Sequence, residues 1–248
     1  MRLALIFDIH EDILSLRKVL RKIEKTGFDY LICLRDISGF SAPYYKYRKT
    51  RDAHGCLSLL REKCDIILPG NHDFHAARML PEHSSVFNFP QNWYEMDFRE
   101  KQQLSNNEIW LHEVNELNPL YSEEDIQFLR SLPEYSIFRI PACDILLSHY
   151  AYPNLSGFKK GFYTWEAEFE PHFEFMQSHD CCISFTGHAH VRGYYVVTKD
   201  RFRHFNHKKH RLKNFPVCIG IPPATSHKNR TGFCIFDTES MSVRVIGC

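Results

Sequence analysis

The strongest constraint on this chain is that its short apolar runs end, time after time, in side chains that bind cations. Asp65 to Leu68 (DIIL) is followed by Pro69 and then by Gly70, Asn71, His72 and Asp73. A buried strand that stops at Pro-Gly and continues with an amide, an imidazole and a carboxylate sets three polar groups at the carboxyl edge of a sheet, where open α/β folds hold ligands. Alone, the tetrapeptide also reads as an ordinary turn. Four further runs end the same way: LALIF before Asp8 and His10, YLICL before Asp36, DILLS before His149, and CISFTG before His188 and His190. Any one of these histidines reads first as a core or surface residue, and Asp36 as a cap. Together they require a fold in which five distant strand ends converge.

Residues 2 to 8 predict a buried strand, and Ile13, Leu16, Val19, Leu20 and Ile23 follow at helical spacing. Gly27 ends that helix, and a second strand from Tyr30 to Leu34 completes a βαβ unit. A helix over residues 53–63 leads to the strand before Gly70, so three parallel strands with two crossovers make the N-terminal half. Residues 74–143 are punctuated by Pro81, Pro90, Pro119, Pro133 and Pro141, and only Glu123 to Leu132 predicts a helix, with Ser122 as its N-cap. This stretch is expected to cover the site as a cap-like segment of helices and loops. Strands are expected at 144–148 and 181–186 with a helix near 171–177 between them. After His190, short β-rich runs at 193–198, 216–221, 232–237 and 242–246 predict a largely antiparallel second sheet. The fold class is α/β, expected as one domain over residues 1–248.

The net charge of +1 gives no global attraction to nucleic acid or membrane. Nine cysteines, an odd number with no CxxC spacing, lie mostly in apolar runs and predict reduced, buried thiols. The apolar stretch before Asp8 is too short for a signal peptide, and no later run approaches a membrane span. A cytoplasmic location is expected.

Asp8, His10, Asp36, Asn71, His149, His188 and His190 supply two carboxylates, one amide oxygen and four imidazoles. Mixed nitrogen and oxygen ligation suits Mn, Fe or Zn better than Mg or Ca. Seven donors exceed one tetrahedral site, so two divalent transition ions are expected. A pair roughly 3.5 to 4 Å apart would hold a hydroxide between them and favour in-line attack at phosphorus. The expected reaction is hydrolysis of a phosphoester.

The order of motifs resembles the calcineurin-like metallophosphoesterases: DxH (Asp8, His10), an aspartate within DISG (Asp36), GNHD (Gly70 to Asp73), a lone histidine after a strand (His149) and GHxH (Gly187 to His190). The closing GFCIFD looks like the small bacterial members, which include phosphodiesterases and dinucleoside polyphosphate hydrolases. The resemblance implies two mixed β-sheets packed face to face with helices outside, a four-layer αββα sandwich. It implies Asp8, His10 and His190 on one metal, Asn71, His149 and His188 on the other, and Asp36 bridging both. His72 would contact the phosphate and protonate the leaving group, with Asp73 orienting its ring. The chain departs from the family at Arg35, where members usually carry glycine before the bridging aspartate. Arg35 either swings away from the site or reaches the substrate phosphate as a binding residue.

The expected substrate is a small phosphodiester, phosphomonoester or dinucleoside polyphosphate, with nucleotides included and no specific nucleic-acid binding. The alternative is a catalytically silent relative that uses the fold as a binding or scaffold surface, a reading for which only Arg35 speaks. Two basic and aromatic stretches stand outside the motifs. Tyr44 to Lys49 follows Asp36 closely enough to reach the rim of the site. Lys199 to Lys213 holds seven Lys or Arg against one Asp, with Phe202 and Phe205 interleaved. It reads first as a solvated hairpin and second as a guide for a polyanion. The remaining histidines (His54, His75, His83, His112, His172, His179, His204, His207, His210 and His227) are read as non-ligands.

Overall fold

In a computed structural model of the chain, which describes residues 1–34, 36–84, 86–225 and 231–248, two six-stranded sheets are stacked face to face. The first contains β1 (Arg2–Ile6), β2 (Tyr30–Leu34), β4 (Ile66–Leu68), β11 (His210–Arg211), β13 (Gly232–Asp237) and β14 (Ser242–Gly247), in the order β11-β14-β13-β1-β2-β4. The second contains β6 (Tyr135–Phe138), β7 (Asp144–Ser148), β8 (Cys181–Thr186), β9 (Tyr194–Thr198), β10 (Arg201–Phe205) and β12 (Val217–Gly220), in the order β10-β9-β12-β8-β7-β6. A separate ribbon pairs β3 (Phe40–Ser41) with β5 (Glu116–Leu117).

Both sheets are mixed. β1, β2 and β4 run parallel, as do β7, β8 and β12, while β13 and β6 pair antiparallel with β1 and β7. The side chains of β1 sort by the two-residue period of a strand. Leu3, Leu5 and Phe7 enter the core between the sheets with Ile183, Phe185 and Phe236. Ala4 and Ile6 turn outward against Leu16, Val19 and Leu20 of α1 (Ile13–Thr26) and Leu57 and Leu60 of α2 (Ala53–Lys63). On the far side, Leu146, Tyr195 and Val197 pack on Phe173 and Met176 of α6 (Glu170–Ser178), which a 3-10 turn (Glu166–Phe169) precedes. These packings make the four layers.

The helices begin where the sequence provides acceptors. The Asp12 carboxylate accepts from the Ser15 N–H at 3.0 Å and starts α1. Ser122 and Asp125 form a reciprocal capping box at the start of α5 (Glu123–Ser131). The short helices α3 (Asn71–Ala76) and α4 (Phe98–Leu104) complete the set.

Two expectations are corrected. The β-rich C-terminal part does not form a sheet of its own: β9, β10 and β12 extend the sheet of β7 and β8, whereas β11, β13 and β14 return to β1. Each sheet offered an open, apolar edge beside its parallel strands, and the tail fills both. The expectation of reduced thiols throughout fails at Cys143 and Cys182, which form a disulfide with Cα atoms 5.9 Å apart. Asp144 pairs with Cys181 where β7 and β8 begin, which brings the two cysteines to bridging distance. The other seven are outside any disulfide, five of them buried. No helix among the described residues is long and apolar enough to cross a membrane.

Candidate metal centre

The carboxyl ends of β1, β2, β4, β7 and β8 meet at one edge of the sandwich and deliver all seven predicted donors. The loops after β1 and β2 are stitched by their main chains: the N–H groups of Ile9 and His10 donate to the Asp36 carbonyl at 2.8 and 2.9 Å, and that of Glu11 to Ile37 at 2.8 Å. From the tail, the Thr225 hydroxyl donates to the carbonyls of Asp8 and Ile9. The Gly187 N–H donates to the His149 carbonyl at 2.9 Å and ties the ends of β7 and β8.

These turns bend the backbone into a region that side chains disfavour. Asp8, His10, Asp36, His188 and His190 have φ of 48, 49, 49, 63 and 45°. None is glycine, and the cost of each is of order 1 kcal/mol or more. That five of the seven donors share this strain marks the edge as a place where the packed sheets hold the backbone against its preference. Gly70 answers a different demand, since a Cβ there would lie 2.1 Å from Asp36 Oδ1 and 2.8 Å from its main-chain N.

The donors form two groups. Asp8, His10 and His190 are one and Asp36, His149 and His188 the other, each with its donor atoms within 4.8 Å of one another. In the first, Nε2 of His10 lies 3.3 Å from Nε2 of His190, which is 3.5 Å from Asp8 Oδ2. In the second, Nε2 of His149 lies 2.9 Å from His188 Nδ1, 3.3 Å from Asp36 Oδ2 and 3.2 Å from Asn71 Oδ1, so Asn71 joins it. The Nδ1–H of His10 donates to the Gly39 carbonyl at 2.9 Å. A carbonyl only accepts, so this bond places the lone pair on Nε2, facing the group.

Electrostatics favour the ligating form of His10, His188 and Asp36, and oppose it at Asp8 in the protein alone. Burial, with His190 close by, pushes His10 well below the usual imidazole range; burial and His149 do the same to His188. Burial opposes ionisation of Asp36, but His149, His72 and His10 outweigh it and hold the carboxyl well below its ordinary value. Asp8 is pushed well up by burial and by Asp36 and Asp73. Both Asp8 oxygens and His149 Nδ1 are buried without a hydrogen-bond partner among the described residues. Uncompensated buried acceptors converging on neutral imidazoles are costly in the protein alone and fit bound cations.

His72 lies beside both groups. Its N–H donates to Asp36 Oδ1 at 3.1 Å, and its ring is 5.3 Å from that of His10 and 4.3 Å from that of Trp110. Burial opposes its protonation, but Asp36, Glu116 and Asp73 together push its pKa up. Asp73, expected to orient this ring, is engaged elsewhere. Its carboxylate accepts from the N–H groups of Ile37, Ser38 and Gly70 at 3.1, 2.9 and 3.0 Å, and from the Ser38 hydroxyl at 2.5 Å. It fastens the Asp36 loop to α3. The carboxylate that faces His72 Nδ1 is Glu116, at 3.4 Å and nearly buried. Nothing in the sequence near Glu116 marks it; the β3–β5 ribbon carries it there.

The stretch from Tyr44 to Lys49 divides. Tyr45 is buried with its ring 5.1 Å from that of His10, and the Tyr47 hydroxyl donates to the His10 carbonyl at 2.9 Å, while Tyr44 is 70% exposed. None of the histidines read as non-ligands joins either donor group among the described residues. Arg35 and His227 lie outside the described residues.

Known proteins share the fold. An uncharacterized protein of Methanocaldococcus jannaschii is 24% identical over 250 residues, covering 98% of this chain and 86% of that protein. The crystal structure of a metallophosphoesterase from Sphaerobacter thermophilus is similar with a TM-score of 0.65 and 19% identity, over 99% of this chain and 86% of that one. A hypothetical protein of Pyrococcus horikoshii is similar with a TM-score of 0.58 and 15% identity, over 99% and 87% of the two chains. Residues 1–192 match the calcineurin-like phosphoesterase family, and the chain belongs to that family of metal-dependent phosphoester hydrolases.

Proposed function

We propose that the chain hydrolyses a small phosphodiester, phosphomonoester or dinucleoside polyphosphate at a centre for two divalent transition ions. Asp8, His10 and His190 hold one ion, Asn71, His149 and His188 hold the other, and Asp36 serves both. Mn, Fe or Zn suits this donor set, which is too rich in imidazole for Mg or Ca. The observation that supports the reading is the meeting of two donor groups, with donor atoms within 4.8 Å of one another in each and Asn71 beside the second, at the ends of five separate strands. Bound there, the ions would supply positive charge for the phosphoryl oxygens and acidify an attacking water.

The protein's own groups do the rest. The Gly39 carbonyl fixes the tautomer of His10. The main-chain N–H of His72 holds one oxygen of Asp36, leaving Oδ2 turned towards His149. His72 holds a proton for the departing oxygen, with Glu116 against Nδ1 and Nε2 left for the substrate. Within residues 74–143, the cap-like part of one domain, Trp110 walls the leaving-group side and β5 of the β3–β5 ribbon delivers Glu116, while β6 is the edge strand of the second sheet.

The test is elemental analysis of purified protein together with a phosphoester panel that spans aryl diesters, monoesters and dinucleoside polyphosphates. Two equivalents of metal and metal-dependent turnover of at least one class are expected. A protein that takes up metal at one equivalent or less and turns over none of them would sink the reading.

A further inference from the structure

A cavity of about 380 Å³ lies at the sandwich edge where the outermost strands β10 and β11 meet. Arg201, Arg203, Lys209, Arg211 and Lys213 line it. Its floor is apolar: Val196, Leu212 and Val217 belong to the core between the sheets, and Phe205 packs against them. It is remote from the metal centre. Val217 opens β12 and pairs with Ile183, whereas His188 and His190 follow Thr186, at the opposite end of β8.

The two arginines of β10 are exposed, on the edge strand's inner face. Arg201, Arg203 and Phe205 pair with Thr198, Val196 and Tyr194, so they share the face that Val196 and Tyr194 turn into the core. Phe202 points the other way, to the cluster under α6, and is no platform for a base. None of the five cations forms an ion pair among the described residues. Edge strands do carry inward charges that block pairing with other sheets. That purpose is served by either sign, or by both alternating, and does not explain five like charges around one concavity. Burial, with Arg203 and Lys213 close by, pushes His210 below its usual range.

We propose that this cavity is a binding site, separate from the metal centre, for the polyphosphate group of a small molecule. A linear triphosphate carries about the charge that five cations can match, and the cavity has the size of a small-ligand pocket. The same group could arrive as inorganic polyphosphate or on a nucleoside that rests on the apolar floor.

The experiment is calorimetric titration of the metal-loaded protein with inorganic tripolyphosphate, the β,γ-imido analogue of ATP, orthophosphate and an oligothymidylate. It is done for the native chain and for a variant with Arg201→Ser, Arg203→Ser and Lys213→Ser. Association at the metal centre is common to both proteins and cancels. The native chain is expected to bind one tripolyphosphate more than the variant does, or to bind at least tenfold tighter, and to bind orthophosphate far more weakly. The imido analogue binding tenfold tighter than tripolyphosphate identifies a nucleotide, and equal affinity identifies free polyphosphate; either supports the site. Hydrolysis of an aryl phosphodiester is expected to be unchanged in the variant, which also shows that it folds. Equal binding by the two proteins overturns the proposal. So does an oligothymidylate that binds tighter than tripolyphosphate, or loss of aryl diester hydrolysis in the variant.

Discussion

Glu116 Oε2 stands 3.4 Å from Nδ1 of His72, a pairing between a two-stranded ribbon and the first turn of α3, which supplies the proposed proton donor. A carboxylate in that place keeps the imidazole in one orientation and favours its protonated form. Glu116→Gln retains the shape and loses the charge. Turnover of esters with poor leaving groups is expected to fall about tenfold to a hundredfold, part of the roughly hundredfold or more that general acid catalysis contributes. Esters of acidic phenols, which leave without a proton, are expected to change little, and KM to stay the same. A uniform loss across leaving groups would show that Glu116 acts by holding the ribbon in place.

Asp73 has a different part. Its carboxylate gathers donors from Ile37, Ser38 and Gly70, so Asp73→Asn would turn an amide NH2 towards N–H groups that need an acceptor. A stability loss of about 2 to 3 kcal/mol is expected from the mismatch. Weaker metal binding is expected with it, because the same loop carries Asp36. Denaturant unfolding with and without metal separates the two effects.

Much of this was legible beforehand, and for a physical reason. The donors follow apolar runs of four to six residues, and such runs become buried strands whatever the rest of the chain does. Helices with an acceptor at the first position and a clear apolar stripe, such as α1 and α5, were equally plain. The partner of His72 was not legible. Glu116 sits in a two-residue strand amid polar sequence, and only the pairing with Phe40 and Ser41 brings it to the ring. The destination of the tail strands was hidden for a related reason: alternation shows that a segment is a strand but not which of two open edges it joins.

Metal removal has a predicted signature. With no cation, Asp8 keeps two buried oxygens without a hydrogen-bond partner among the described residues and His10 faces His190 at 3.3 Å. A ligand at 100 times its dissociation constant stabilises a fold by about 2.7 kcal/mol. The chelated protein is therefore expected to melt several degrees lower and to recover on adding Mn or Zn. His190→Ala is expected to bind less metal and to lose at least a hundredfold in turnover. Atomic spectroscopy and a melting curve are the checks.

A histidine remote from the metal centre predicts acid sensitivity. His172 is fully buried, accepts from the Tyr152 N–H at 3.0 Å and donates to the Ser184 hydroxyl at 2.9 Å. Burial holds its pKa down to about 3, against 6.5 in the unfolded chain. Below pH 6.5 the unfolded state takes up the proton and the folded state does not, so stability falls as pH falls and levels off near pH 3. The cost reaches about 2 kcal/mol at pH 5. His172→Gln, which can make both bonds, is expected to lose less than the native chain between pH 7 and pH 5, by about that amount, in urea unfolding.

The family match ends at residue 192, yet β1, which carries Asp8 and His10, has β13 as its neighbour on one side. A fragment cut at that boundary would keep every proposed metal donor and still leave β1 with a bare flank, and it would strip β12 from β8. An isolated 1–192 piece is therefore a candidate for aggregation rather than a minimal enzyme. In the intact chain, assembly of the catalytic edge has to wait for strands made long after the last histidine of the centre.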